Sequence, residues 1–331
     1  MLRAPKFWYV RNTTIFSTIF LPTSLLFRLL SKLYILFSSK NSSTVPVICI
    51  GNLVVGGAGK TPVALKVGNL LKLAGYRPHF LTRGYAGKIK ENIRVLNNHS
   101  PEEVGDESII LSSVAPTWIG SNRIKSAKLA IKNNADCIIM DDGFQNPTIK
   151  KDFSIIVIDG KQGFGNQKVL PSGPLRESIN SGLKRANAVI IVGEDTFNIK
   201  KFIPSSIPCF GAKFDVSNNE KIYKGKKVTA FAGIAYPTKF FDTLENQGAK
   251  ILKTFTFPDH YIYTETDLLN LVEKANKNNS ILVTTKKDLI RVPESYKPLV
   301  YILEGEIKLG EEEVLKEVLI NVLENFIYVK E

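Results

Sequence analysis

An α/β fold, a mainly parallel sheet covered by helices together with a second, smaller α/β lobe, is predicted by three observations. Apolar runs of strand length alternate with helical patterns along most of the chain. A glycine-rich turn bearing a lysine joins the first such run after residue 40 to the helix that follows it. A Pro- and Ser-containing stretch, FIPSSIPCFGAKF, then reads as a hinge between two sets of strands. At 331 residues the chain is long enough for two cores, and 44% hydrophobic with 23% charged residues excludes wholesale disorder.

The first element is N-terminal. TTIFSTIFLPTSLLFRLLSKLYILF, residues 13–37, is apolar but interrupted by Pro22, with Arg28 and Lys32 in its second half. A spanning helix needs about twenty apolar residues with few charges. Leu25, Leu26, Leu29, Leu30, Leu33 and Leu36 follow helical spacing instead, with Arg28 and Lys32 on another side. That pattern predicts an amphipathic helix lying in a membrane interface, with a true span and an ordinary core or oligomer-forming helix as the other readings. No small-residue cleavage site of a signal peptide follows it.

Strands are then expected at 45–50, 79–82, 117–120, 137–140, 154–158 and 188–192, with helices such as 62–74 and 122–133 between them. A second set follows Pro208, with strands at 228–232, 251–257, 281–284 and 299–303 and helices near 238–246, 265–276 and 311–324. The expected organisation is a membrane-associating helix over 1–40, a phosphate-loop lobe over 41–205 and a C-terminal α/β lobe over 206–331.

The turn itself reads GNLVVGGAGKTP. In the common P-loop, G-x-x-x-x-G-K-[ST], the first glycine would fall at Val54; here glycines stand at Gly51, Gly56, Gly57 and Gly59. Glycines beside a lysine let backbone N–H groups approach phosphate oxygens, and the helix N-terminus adds partial positive charge. Gly56, Gly57, Ala58, Gly59, Lys60 and Thr61 are therefore expected to bind a nucleotide. Lys60 would neutralise its phosphates and the Thr61 hydroxyl would face a magnesium ion.

Asp141 and Asp142 close an apolar strand in ADCIIMDDGFQ, where a parallel sheet presents its ligands. Paired carboxylates are costly without a cation, which suits Mg2+; a solvated loop pair is the other reading. Asp106 and Glu107 in EEVGDESIILSS read either as first-turn acids favoured by the helix dipole or as site groups. Arg176 and Glu177 lie in LPSGPLRES, and Asp259 and His260 end a strand in FPDHYIY. TTKKD, residues 284–288, has the T-K-x-D form of a guanine-reading motif or is an exposed basic loop.

A net charge of +13 and a pI near 9.4 call for an anionic partner. No compact run interleaves aromatic with basic residues, which argues against nucleic acid. Cys49, Cys137 and Cys209 lie in apolar runs without zinc or disulfide spacing, as in a reducing cytoplasm.

Taken in order, GNLVVGGAGKTP, LTRGYAG, VGDES, MDDGFQN, LPSGPLRE and FPDH closely resemble the tetraacyldisaccharide 4′-kinase (lipid A 4′-kinase) family over essentially the whole chain. The resemblance implies ATP-dependent phosphorylation of the 4′-hydroxyl of a tetraacylated glucosamine disaccharide 1-phosphate in lipid A biosynthesis. It places the enzyme at the cytoplasmic face of the bacterial inner membrane, monotopic through the N-terminal helix. The cofactors are ATP and Mg2+, and no obligate protein partner is expected. Carried onto this chain, it implies a catalytic set of Asp106, His260, Lys60 and Arg176. Asp106 pairs with His260 from the other lobe as general base, and Arg176 offsets charge on the transferring phosphoryl group. The metal set is Thr61, Asp141, Asp142 and Glu177, with Arg83 and Arg123 as further phosphate or substrate contacts. Two alternatives stand beside it: a P-loop GTPase, from T-K-x-D, and a nucleotide-gated membrane-binding switch. Such switches often carry a lysine before the two glycines, where this chain has Val55.

Overall fold

The computed structural model describes residues 5–10, 14–216 and 220–328. Thr13 and the terminal and inter-lobe residues 1–4, 11–12, 217–219 and 329–331, all within the three expected segments, lie outside them. The strands are β1 (Val47–Gly51), β2 (Pro78–Leu81), β3 (Ile93–Arg94), β4 (Thr117–Ile119), β5 (Cys137–Asp141), β6 (Phe153–Asp159) and β7 (Ala188–Val192). They continue as β8 (Cys209–Asp215), β9 (Lys227–Ala232), β10 (Lys250–Thr256), β11 (Ile281–Thr285), β12 (Val300–Leu303) and β13 (Glu306–Leu309).

The larger sheet has the order β13-β8-β7-β6-β1-β5-β2-β4-β3. Only its edge pairs, β3 with β4 and β13 with β8, are antiparallel. The centre is buried on both faces, so β1 and β5 read as unbroken apolar runs. Ile48 and Ile50 of β1 pack with Val63, Val67 and Leu71 of the helix Lys60–Leu73. Val47 and Cys49 face the opposite layer, with Ala127, Ala130 and Leu183. The smaller sheet, β10-β9-β11-β12, is wholly parallel. The α/β class is as expected.

The C-terminal division differs from the sequence expectation. Residues 206–331 do not form one lobe: β8 and β13 belong to the larger sheet. The helix Glu312–Tyr328 packs Leu315, Leu319 and Leu323 into that sheet's core. The chain thus leaves the larger sheet after β8, builds the smaller one, and returns at β13. FIPSSIPCFGAKF is therefore not the hinge: its first half joins β7 to β8 within the larger sheet, and its second half is β8.

The N-terminal run forms two helices, Ile15–Ile19 and Leu21–Phe37. Pro22 does not break a helix. It sits in the first turn of the second one, where its missing N–H has no intrahelical role. Leu25, Leu26, Leu29, Leu30, Leu33 and Leu36 are all exposed, and the only buried residue of this helix is Ser24. Among the described residues, no helix is long and apolar enough to cross a membrane.

Candidate active site

β1 delivers the chain into the glycine-rich turn at the carboxyl edge of the larger sheet, between β5 and β6. Gly59 caps the following helix with φ +84°, a left-handed conformation that strains other residues. The helix starts at Lys60, so the Lys60 and Thr61 side chains project from its first turn. Val54, standing where the common loop has glycine, needs no such freedom. It is 5% exposed and bridges Leu175 in antiparallel fashion, and Val55 N–H donates to the Pro174 carbonyl at 2.8 Å. The displaced glycine therefore reflects a loop braced by the segment around Leu175.

Register places Asp141 beside Ile50, at the mouth of this turn. The Thr61 hydroxyl donates to Asp141 Oδ2 at 2.8 Å, while Asp141 Oδ1 is buried without a partner. Burial pushes the Asp141 carboxyl up to about 6 against the pull of Lys60. Asp142 has left-handed backbone, φ +52°, and takes a two-pronged grip from Arg176 at 2.9 and 3.2 Å. Burial would raise its pKa, but Lys60, 3.7 Å away, and Arg176 outweigh that and hold it below the usual carboxylate range. Desolvation in turn lowers the Lys60 ammonium.

Of the expected metal set, Thr61 and Asp141 come together, with Asp142 next in the chain and its oxygens held by Arg176. Glu177 does not join them: both its oxygens pair with Arg185, and Gln145 donates to Oε1 at 3.2 Å. Nothing in the sequence marked Gln145, whose Oε1 also accepts from Arg176 at 3.1 Å. Arg123 is buried. It donates to the carbonyls of Thr82 and Gly120, and burial draws its pKa down to about 10. Arg83 is exposed along the same cleft.

Across the cleft, Asp106 begins the helix Asp106–Ser112 after Gly105, φ +85°, where a Cβ would lie 2.3 Å from the Tyr85 carbonyl oxygen. His260, held at φ +61° by donation from its own N–H to the Gly233 carbonyl, places Nδ1 2.7 Å from Asp106 Oδ2. The two lobes thus meet at this pair, which the residues alone leave open and the family resemblance joins. His260 lines the cleft; Asp106, 3% exposed, lies behind it.

TTKKD closes the same wall. Asp288 is wholly buried and accepts from Gly233 N–H, Tyr263 Oη and Thr285 Oγ1 at 2.7–2.9 Å, so it reads no base. The neighbouring Lys287 reaches into the cleft instead, 2.9 Å from Glu107 and 3.5 Å from His260 Nε2. Arg291 Nε stands 3.3 Å from Asp106. Neither cation was foreseen; only their tertiary placement shows them.

The cleft between these walls has a volume of about 2780 Å³ and runs from the nucleotide loop past His260 to Phe27, Tyr34 and Ile35 of the N-terminal helix. That exceeds a single small-molecule pocket of roughly 300–1,000 Å³.

Comparison with known proteins gives the family. The LpxK family model, described as tetraacyldisaccharide-1-P 4′-kinase, matches residues 16–324. The tetraacyldisaccharide 4′-kinase of Gluconobacter oxydans is 39% identical over 306 residues, covering 92% of this chain and 93% of that protein. That of Rhodospirillum rubrum is 40% identical over 307 residues, covering 91% and 92%. The crystal structure of LpxK from Aquifex aeolicus in complex with ATP superposes with a TM-score of 0.78 at 29% identity, covering 93% of this chain and all of that one. With a glycine-rich loop, a paired-aspartate strand end and a match over nearly its full length, the chain belongs to the tetraacyldisaccharide-1-P 4′-kinase family of ATP-dependent kinases.

Proposed function

We propose that this kinase transfers the γ-phosphoryl group of ATP to the 4′-hydroxyl of a tetraacylated glucosamine disaccharide 1-phosphate, as in lipid A biosynthesis. The observation that carries the reading is the Asp106–His260 pair, joined across the lobes opposite Lys60 and Thr61. A bond forms between the acceptor oxygen and γ-phosphorus as the bond from that phosphorus to the leaving ADP oxygen breaks. The hydroxyl proton passes to His260 Nε2, with Nδ1–H held by Asp106, which fixes the tautomer and balances the imidazolium. Lys60 and Arg176 oppose the charge of the transferring group.

Thr61, Asp141 and Asp142 would hold Mg2+. The unpartnered buried Asp141 Oδ1 is a ligand atom of the right hardness, and the ion would supply charge neutralisation on the phosphates.

The lobes assigned to this work are 41–215 with 306–328, and 220–303, with residues 1–40 docking on the cytoplasmic face of the inner membrane. The exposed leucines would lie among acyl chains and the net positive charge would face anionic lipid. Phe27, Tyr34 and Ile35 would meet the substrate's acyl chains where the helix borders the cleft.

Labelled γ-phosphate from ATP should appear on the disaccharide lipid in detergent, and should vanish with Lys60→Ala. Phosphate released to water regardless of lipid would refute the acceptor assignment. On anionic vesicles, deletion of residues 1–38 together with about 1 M salt, which shortens electrostatic reach to roughly 3 Å, should release the protein. Full retention would rule out the docking role.

A further inference from the structure

The N-terminal helices are inverted relative to ordinary surface helices. Their leucines and phenylalanines face outward, and the two residues they bury are serines, Ser17 and Ser24. A buried hydroxyl costs free energy unless it is satisfied, so this burial has to be compensated by specific partners.

Those partners lie in one place. Ser24 Oγ accepts from Ser172 N–H at 3.1 Å and lies 2.8 Å from both Ser172 Oγ and the Val169 carbonyl oxygen. Ser172 is wholly buried. Lys168 Nζ donates to Ser17 Oγ at 3.1 Å, and Trp8 Nε1–H to the Pro171 carbonyl at 3.0 Å. All of these contacts fall on the loop 168–172. Four residues later that loop becomes Arg176, which grips Asp142.

The loop is also tied to the nucleotide turn. Arg176 N–H donates to the Leu53 carbonyl at 2.7 Å, and Val55 N–H to the Pro174 carbonyl at 2.8 Å. Within itself it is closed by Leu175 N–H to Lys168 and Leu170 N–H to Leu175. A continuous set of short hydrogen bonds therefore runs from the helix, through Ser24 and Ser172, to Arg176 and the first half of the nucleotide loop.

We propose that Ser24 and Ser172 are positioning residues. They lock the N-terminal helix to the loop 168–176 and so hold the Arg176 guanidinium in register with Asp142 and the transferring phosphoryl group. The inference rests on the assignment of Arg176 to that group. It gives the helix a task in turnover separate from attachment to a surface, and one that operates in detergent.

Ser24→Ala and Ser172→Ala remove the hydroxyls without adding bulk, and alanine suits the helix at 24. Each should lower kcat about ten-fold, the scale of a small misplacement of a charge-stabilising group, with KM for ATP within about two-fold. Thr23→Ala, one residue away and exposed, loses only a local bond to the Phe20 carbonyl and should match the parent.

The decisive comparison uses Arg176→Lys as background. If the serines act through Arg176, adding Ser24→Ala there should cost less than about two-fold more. Losses that multiply in full, or a Ser24→Ala enzyme with parental kcat, would overturn the proposal. A parent that hydrolyses ATP without phosphorylating the lipid would sink the acceptor assignment instead, and the same serine comparison would then be read on hydrolysis.

Discussion

Asp106→Ala is expected to lower kcat by at least about a hundred-fold, the usual contribution of a positioned base, while KM for ATP stays within about two-fold. In the proposed mechanism Asp106 acts on the acceptor hydroxyl through His260, and its carboxylate faces His260, Lys287 and Arg291. His260→Ala should cost a similar factor, and the double substitution little more than either one, because the two act as a unit. The check is steady-state kinetics with both substrates varied, together with direct nucleotide binding. Parallel losses of rate and of ATP affinity would make Asp106 a nucleotide or metal ligand, and the base would have to be sought elsewhere. Lys287 bears on the same experiment. Its ammonium lies 4.0 Å from Asp106 and 2.9 Å from Glu107, so removing Asp106 leaves it a counterion and should not unfold the lobe contact.

Asp141→Asn should abolish transfer and yet make the protein more stable at neutral pH. Burial raises the Asp141 carboxyl to about 6 from an ordinary 3.8, which means that folding pays to bury a charge there. At about 1.4 kcal/mol per pH unit, the neutral amide recovers at most roughly 3 kcal/mol. The sign follows from the protonation states. Below about pH 4 the carboxyl is protonated folded or unfolded, so the amide gains nothing. Between pH 4 and the folded value near 6 the gain grows, and above about 6 it is complete. Denaturant titrations of parent and variant at pH 4 and pH 8 test this. Equal stability at pH 8 would show that Lys60 and Thr61 already compensate the charge in full.

The central strands and the nucleotide loop were legible in the sequence because their signals are local. Buried parallel strands must be unbroken apolar runs, and a loop that cradles phosphate must be rich in glycine. What escaped notice lacked such signals. β8 and β13 are half-exposed strands toward one edge of the sheet; the apolar run around Cys209 is short, and nothing in it shows which sheet it joins. Lys287 and Arg291 sit in a stretch whose only visible pattern, T-K-x-D, turned out to be a capped turn around a buried aspartate. The partner of Glu177 was not legible because Arg185, eight residues on, looks like any surface cation until the fold sets it against that carboxylate. The leucines of the N-terminal helix were read correctly as one apolar surface. That the serines between them were the inward-facing residues could not be told from periodicity.

The excursion of the chain between β8 and β13 also orders events during synthesis. The strand that completes the larger sheet's edge and the helix bearing Leu315, Leu319 and Leu323 leave the ribosome only after the whole inserted sheet. The inserted sheet, by contrast, is complete in sequence by Leu303. The second-made lobe can therefore finish folding before the first-made one. Until β13 and that helix emerge, β8 offers an open edge and the sheet face beneath the helix stays uncovered. A nascent chain of this kind is most exposed to aggregation in the interval between completion of the inserted sheet and the arrival of β13.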